Sequence, residues 1–239
     1  MVDRRITEML TTMEHHSELE AYTKADLIYK YVTINRLIRK IGHQHVTKHL
    51  YEHEPQWFKQ LYFDAMYEIN TSDASTSLVV CQELAQRYIA DMEAKMRIVI
   101  EGCVRYCDDR KSIVHNENAQ NLFKPYFTSY TLDELRDKMA FYQTLMLKEG
   151  AFAADDFILK EPNGFIRRTI WYVVDGYDTD EIIYLATLDM KCKLAQYREL
   201  WEITELGLIG VLTQEYTTKL ETKLLCYLEE AYRENVRQY

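Results

Sequence analysis

Residues 81–106 read CQELAQRYIADMEAKMRIVIEGCVRY, and Cys81, Leu84, Ala85, Tyr88, Met92, Met96, Val99, Cys103 and Tyr106 recur within them at steps of three and four. That spacing lines one face of a long helix, because side chains three and four residues apart stack on the same side of a 3.6-residue turn. Asp108-Asp109-Arg110-Lys111 closes the run. The polar stretch from there to Asn118 is the natural boundary between an N-terminal helical region, 1–110, and a C-terminal one, 117–239, unless the two form one continuous domain.

The same period extends outward. Leu27, Tyr31, Ile34, Ile38 and Ile41 predict a helix opened by Thr23, with Gly42 weakening or bending its end, after a first helix over residues 3–21. Trp57, Phe58, Leu61, Tyr62, Ala65 and Met66 predict another, with Pro55 at its first turn. Asn70 to Thr76 reads as a loop. Thr131-Leu132-Asp133-Glu134 is a capping box, in which a hydroxyl and a carboxylate three residues apart satisfy each other's free backbone N–H, and Gly150 sits where that helix would close. A second such signature, Asp178-Thr179-Asp180-Glu181, precedes Leu185, Leu188, Met190, Leu194, Tyr197 and Trp201; Gly207 and Gly210 interrupt this helix. Residues 213–239, free of Gly and Pro, carry a helical stripe through Tyr216, Leu220, Leu224 and Leu228.

One segment reads differently. Phe157 to Lys160 and Phe165 to Val174 are β-branched and aromatic runs on either side of Glu161-Pro162-Asn163-Gly164, which predicts a β-hairpin over about 157–174. The expected fold is therefore mainly α, a multi-helix bundle with one small β-hairpin. With 7 Gly and 3 Pro in 239 residues the chain lacks the turns an all-β protein of this size would need. No repeat of fixed period is visible.

Composition narrows the function classes. No run approaches the 18 apolar residues of a membrane span, and the first residues lack the apolar core of a signal peptide. Cys81, Cys103, Cys107, Cys192 and Cys226 are an odd set in a chain too large for a disulfide scaffold, which fits reduced thiols in a cytoplasm. A net charge of −9 with no Lys/Arg cluster disfavours nucleic acid as a partner.

The candidate ligands are few. Six of the seven His (His15, His16, His43, His45, His49, His53) lie in the first quarter of the chain. His45, His49 and His53 form one ridge, which continues the Tyr31, Ile34, Ile38, Ile41 face if Gly42 does not break the helix, and imidazoles four apart can chelate zinc or iron with a carboxylate from Glu14, Glu52 or Glu54. His16 and Glu20, taken with His45 and His49, resemble part of the ligand pattern of hemerythrin-like bundles, although that family's other ligand motifs do not appear in order. Without a convincing further ligand we assign no metal site. Cys103 and Cys107 lack the second pair a zinc knuckle requires, and Cys103 belongs to the apolar stripe.

Hydrolase, phosphate-loop, dinucleotide-binding and zincin signatures are absent, and Asp178 and Asp180 lack the rest of a calcium loop. The helix from Thr131 followed by the expected hairpin has the order of a recognition helix and wing, with Arg167-Arg168 as its one basic patch among an excess of carboxylates. Between Glu134 and Leu200, Phe157, Asp175, Thr179, Ala186 and Tyr197 resemble RteC-type regulators of mobile elements as isolated letters, without that family's DNA-binding C-terminal module. Neither resemblance amounts to membership. The sequence thus points to a non-enzymatic helical protein, without a cofactor, that binds a protein partner or itself in assembly or regulation. A DNA-binding regulator using 131–174 and a His-ligated metal protein are the alternatives.

Overall fold

The computed structural model describes residue 13 and residues 16–71, 74–109 and 117–228. Nine α-helices account for most of them: α1 Lys24–Ile41, α2 His43–His53, α3 Gln56–Thr71, α4 Ala74–Asp109, α5 Leu132–Glu149, α6 Asp155–Ile158, α7 Gly164–Val174, α8 Thr179–Leu212 and α9 Thr217–Leu225. Among the described residues there is no strand. The hairpin expected at 157–174 is replaced by α6, a turn and α7. Asn163 is the reason. Its side-chain oxygen accepts from the backbone N–H of Phe165 and Ile166, so Pro162-Asn163-Gly164 caps a helix instead of reversing a strand. Phe165, Ile166, Thr169, Ile170 and Val173 then bury one helical face.

The chain divides into two compact units, one of Met1–Arg87 with Tyr197–Tyr239, the other of Tyr88–Gln196. In the first, α1 buries Leu27, Tyr31, Ile34 and Ile38, α3 buries Phe58, Leu61 and Tyr62, and α9 buries Leu220 and Leu224. In the second, the core takes Met92, Met96, Val99 and Cys103 from α4, Leu135, Met139, Tyr142 and Met146 from α5, and Ile182, Ala186 and Met190 from α8. Burial of each such side chain contributes about 1.5–3 kcal/mol.

Within these units one design occurs twice. In the first, Tyr22 precedes an N-cap Thr23 whose capping box is completed by Asp26; an 18-residue helix follows and ends at Gly42 with φ +87°. In the second, Tyr130 precedes Thr131 with Glu134, and another 18-residue helix ends at Gly150 with φ +92°. A backbone with φ near +90° is open to glycine and strained for other residues, which explains its use at both stops. Buried positions then match in order: Leu27 with Leu135, Lys30 with Lys138, Ile34 with Tyr142, Ile38 with Met146, Val46 with Ala154, Leu50 with Ile158. After a deletion of one residue in the second copy, Glu54-Pro55 matches Glu161-Pro162 and Phe58 matches Phe165.

The long helices continue the match, Cys81 with Ala186, Met92 with Tyr197, Val99 with Thr204 and Gly102 with Gly207, all buried. Gly102 packs on Met139 and Gly207 on Tyr31, which are themselves equivalent positions of α5 and α1. Gln143 donates to the Gly102 carbonyl, and Asn35 donates to the Gly210 carbonyl, one turn further along, at 3.0 Å. A module of α1–α4 is therefore repeated as α5–α8. Each compact unit takes three short helices and the start of a long helix from one copy, and the end of the long helix from the other. Two copies with few identical letters and two separate deletions, the second before the long helix, leave no fixed period to detect, so the repetition escapes the sequence reading.

Other expectations need adjustment. Gly42 ends α1 outright, so the His45, His49, His53 ridge belongs to a separate helix and does not extend the α1 face. Gly207 and Gly210 do not interrupt α8, which runs to Leu212; they let Tyr31 and Leu220 approach its backbone. The capping boxes at Thr131 and Asp178 form as read. Leu19–Ala21 is a single 3-10 turn, and the rest of the helix expected over 3–21, the polar boundary from Arg110 to Asn116, and the stripe beyond Leu228 lie outside the described residues or nearly so.

Candidate functional site

The most chemically loaded groups are two buried ion pairs, one in each copy. Lys30 and Glu54 pair with side chains 1% and 0% exposed, and Lys138 and Glu161 pair at 2% and 0%. The tyrosine beside each lysine corresponds as well, whereas the neighbouring phenylalanine does not, the counterpart of Phe58 being Phe165. Lys30 Nζ donates to the Tyr22 hydroxyl at 2.9 Å and lies 4.5 Å from the Phe58 ring centre; Lys138 Nζ donates to the Tyr130 hydroxyl at 3.1 Å and to the Leu122 carbonyl, 4.7 Å from the Phe123 ring centre. Burial pulls both lysines below their ordinary value, opposed by the facing carboxylate. It pushes Glu161 up, opposed by Lys138 and by the Asn163 N–H on its other oxygen. The Tyr142 hydroxyl, raised far above its usual range by burial first and Glu161 next, completes the second cluster.

A lysine of lowered pKa beside a tyrosine and a carboxylate is the kind of group that can carry acid–base chemistry. Such chemistry also needs an opening through which a substrate reaches the proton. These side chains are sealed, and neither cluster lines the cavities described below. Their recurrence at equivalent positions, joining the first helix of each copy to the Glu-Pro turn before its third, fits a structural clamp. Sequence reading missed both lysines. The repeated Glu-Pro and Tyr-Thr signatures were the available signal.

The histidines are dispersed. His45 and His53 are exposed and His49 is half-buried, its ring 4.3 Å from that of His53. His43 faces the Tyr62 hydroxyl at 3.3 Å, and burial lowers its pKa. His16 packs edge-on against Tyr22 at 4.6 Å, whereas Glu20 accepts from the Tyr197 hydroxyl at 2.8 Å. Glu54, one of the proposed carboxylate ligands, is committed to Lys30, and Glu52 is on the surface beside His53; Glu14 and His15 lie outside the described residues. No group of three His, Cys, Asp or Glu among the described residues is placed to hold an ion. Cys103 is buried against the core of its unit and Cys107 half-buried beside it.

With no wing, the 131–174 region loses the element on which the recognition-helix reading rested. Arg168 is held by Asp189 through a bidentate pair, Nε on Oδ2 at 2.9 Å and Nη2 on Oδ1 at 3.0 Å, and Arg136 pairs with Asp133. Among its exposed side chains are four apolar ones, Trp171 of α7 with Ile183, Tyr184 and Leu188 of α8, of which Tyr184 is 68% exposed. The first half of α8 is apolar on two sides, burying Ile182, Ala186 and Met190 and presenting Tyr184 and Leu188 outward. No family model, curated protein or solved structure matches the chain.

Proposed function

We propose that the chain is a non-enzymatic cytoplasmic protein that acts by binding another protein, as an adaptor, assembly component or regulator. The observation that carries this reading is the outward face of Trp171, Ile183, Tyr184 and Leu188. Exposed aromatic and aliphatic groups on helices are the material of interface anchors. Two further points support it. The strongest titratable clusters are closed to substrate, and no helix among the described residues is long and apolar enough to cross a membrane.

The test is a photo-crosslinking residue placed at Tyr184 in the full chain in its native cell. One adduct of defined mass, absent when Leu188→Asp is added and absent from the same probe at exposed Tyr29, is the expected result. No adduct above that of the Tyr29 control would refute the reading.

A further inference from the structure

The first unit holds an open cleft of about 680 Å³. Its polar wall is one side of α2, formed by His43, Gln44, Thr47 and Lys48. Its apolar wall is Tyr51, Phe63, Met66 and Leu212, with the Tyr51 and Phe63 rings meeting edge-on at 5.8 Å. The size lies within the roughly 300–1,000 Å³ of small-molecule sites, and a mostly apolar lining with a few convergent polar groups is their usual make-up.

The internal repetition supplies a control that a single structure seldom offers. At positions equivalent to His43, Gln44, Thr47, Lys48 and Tyr51 the second copy carries Ala151, Phe152, Asp155, Asp156 and Leu159. The scaffold residues are kept across the same stretch, Val46 as Ala154, Leu50 as Ile158 and Glu54 as Glu161. The module therefore folds with other residues at these positions; His43 and Thr47 partner the buried Tyr62 hydroxyl, which leaves Lys48 as the lining group without a packing use.

The charge of the lining is also out of character. In a chain of net charge −9, none of the nine described lining residues is acidic. Lys48 is exposed and makes no ion pair among the described residues, and the Thr47 hydroxyl and His43 ring both face the Tyr62 hydroxyl at 3.3 Å. Beside the cleft, Gln214 closes α8 as a left-handed cap with φ +53°, its N–H on the Val211 carbonyl and the Glu215 N–H on the Gly210 carbonyl, and Arg39 holds the Gln214 carbonyl at 2.8 Å.

The geometry points to a binding site for a small aromatic anion, whose ring lies between Tyr51, Phe63, Met66 and Leu212 and whose carboxylate or sulfonate meets Lys48. The chemistry is that of a charge-assisted hydrogen bond at one end and an apolar slot at the other. This site is separate from the Trp171–Leu188 face, and its test is independent of the one above.

Two naphthylamine probes that differ in one charge distinguish the contributions in the full chain. 8-Anilinonaphthalene-1-sulfonate should bind saturably, and Lys48→Met should weaken its Lys48-dependent class about tenfold, the value of one charge-assisted bond. The uncharged N-phenyl-1-naphthylamine should change less than about twofold on the same scale. A graft replacing residues 43–54 with the sequence of 151–161 should keep helicity and a cooperative melt while losing that class. An unchanged sulfonate affinity in Lys48→Met overturns the proposal whether or not the graft folds. A folded graft that binds as the parent does would overturn it too.

Discussion

Lys138 and Glu161 stand 23 residues apart in sequence yet form an ion pair from which water is almost wholly excluded, and Lys30 and Glu54 do the same at a separation of 24. Such a pair is asymmetric in its energetics. Desolvating two charges offsets most of their attraction, but removing one partner leaves the other buried and uncompensated, at about 3–5 kcal/mol. We expect Glu54→Gln and Glu161→Gln each to destabilise by that order, and the doubles Lys30→Met/Glu54→Leu and Lys138→Met/Glu161→Leu to recover much of the loss. Denaturant melts of the two cycles should run in parallel. A large loss in one and none in the other would mean that the clusters are not equivalent.

Glycine at 207 and 102 is required by contact and not by conformation. A Cβ on Gly207 would fall among the Cβ, Cγ and Cδ2 atoms of Tyr31, and one on Gly102 would lie 2.7 Å from the Met139 Cβ. Neither neighbour can swing away at that point. Gly207→Ala and Gly102→Ala should each cost about 1–3 kcal/mol or more by overpacking. Gly210→Ala meets chiefly the end of the Leu220 side chain and should cost less than either. Thermal melts that reverse this order would contradict the packing described.

The cysteines divide by access. Cys192 and Cys226 are exposed, while burial pushes Cys81 up to about 11 and raises Cys103 still further. Because the thiolate is the reactive form, brief iodoacetamide treatment of the native chain should modify Cys192 and Cys226 and spare Cys81 and Cys103. Peptide mass spectrometry after unfolding should then show all of them labelled. Early labelling of Cys103 would place it outside the core.

Glu134 gives a pH signature. Its carboxylate accepts from Lys124 at 2.8 Å and from the Thr131 N–H, and these contacts hold its pKa below the ordinary value of 4.5. The folded state therefore favours the ionised form. The resulting stability is fully present above the unfolded pKa and disappears as pH falls from about 4.5 through the lower folded value. Glu134→Gln should be less stable than the parent at pH 7 and approach it under acid, a difference readable in melts at pH 7, 4 and 3. A constant difference across the series would remove the carboxylate from the account.

The helices were legible wherever an apolar stripe coincided with punctuation, as at Thr23, Thr131 and Asp178. The 157–174 segment misled because Pro-Asn-Gly serves both turns and helix starts. Its β-branched residues fit either period over so short a run, and only the Asn163 cap decides between them. The histidine ridge was visible, but that Gly42 separates it from the α1 face and that Lys30 takes Glu54 are facts of the fold which no spacing reveals. The buried lysines were illegible for a related reason: a Lys on a helix face is ordinarily at the surface, and only the fold brings Glu54 or Glu161 to it.

The division of α4 and α8 between the units also bears on the protein's history. A lone ancestral module would lack the helix end that completes its unit, and the most direct source would be a twin, each lending its terminal half-helix to the other. Joining two such genes head to tail turns that loan into an intramolecular bond, no longer dependent on protein concentration. It also frees the twins from identity. A mutation in a homodimer appears on both members at once, whereas in the fused chain one copy can carry His43, Thr47 and Lys48 and the other Ala151, Asp155 and Asp156.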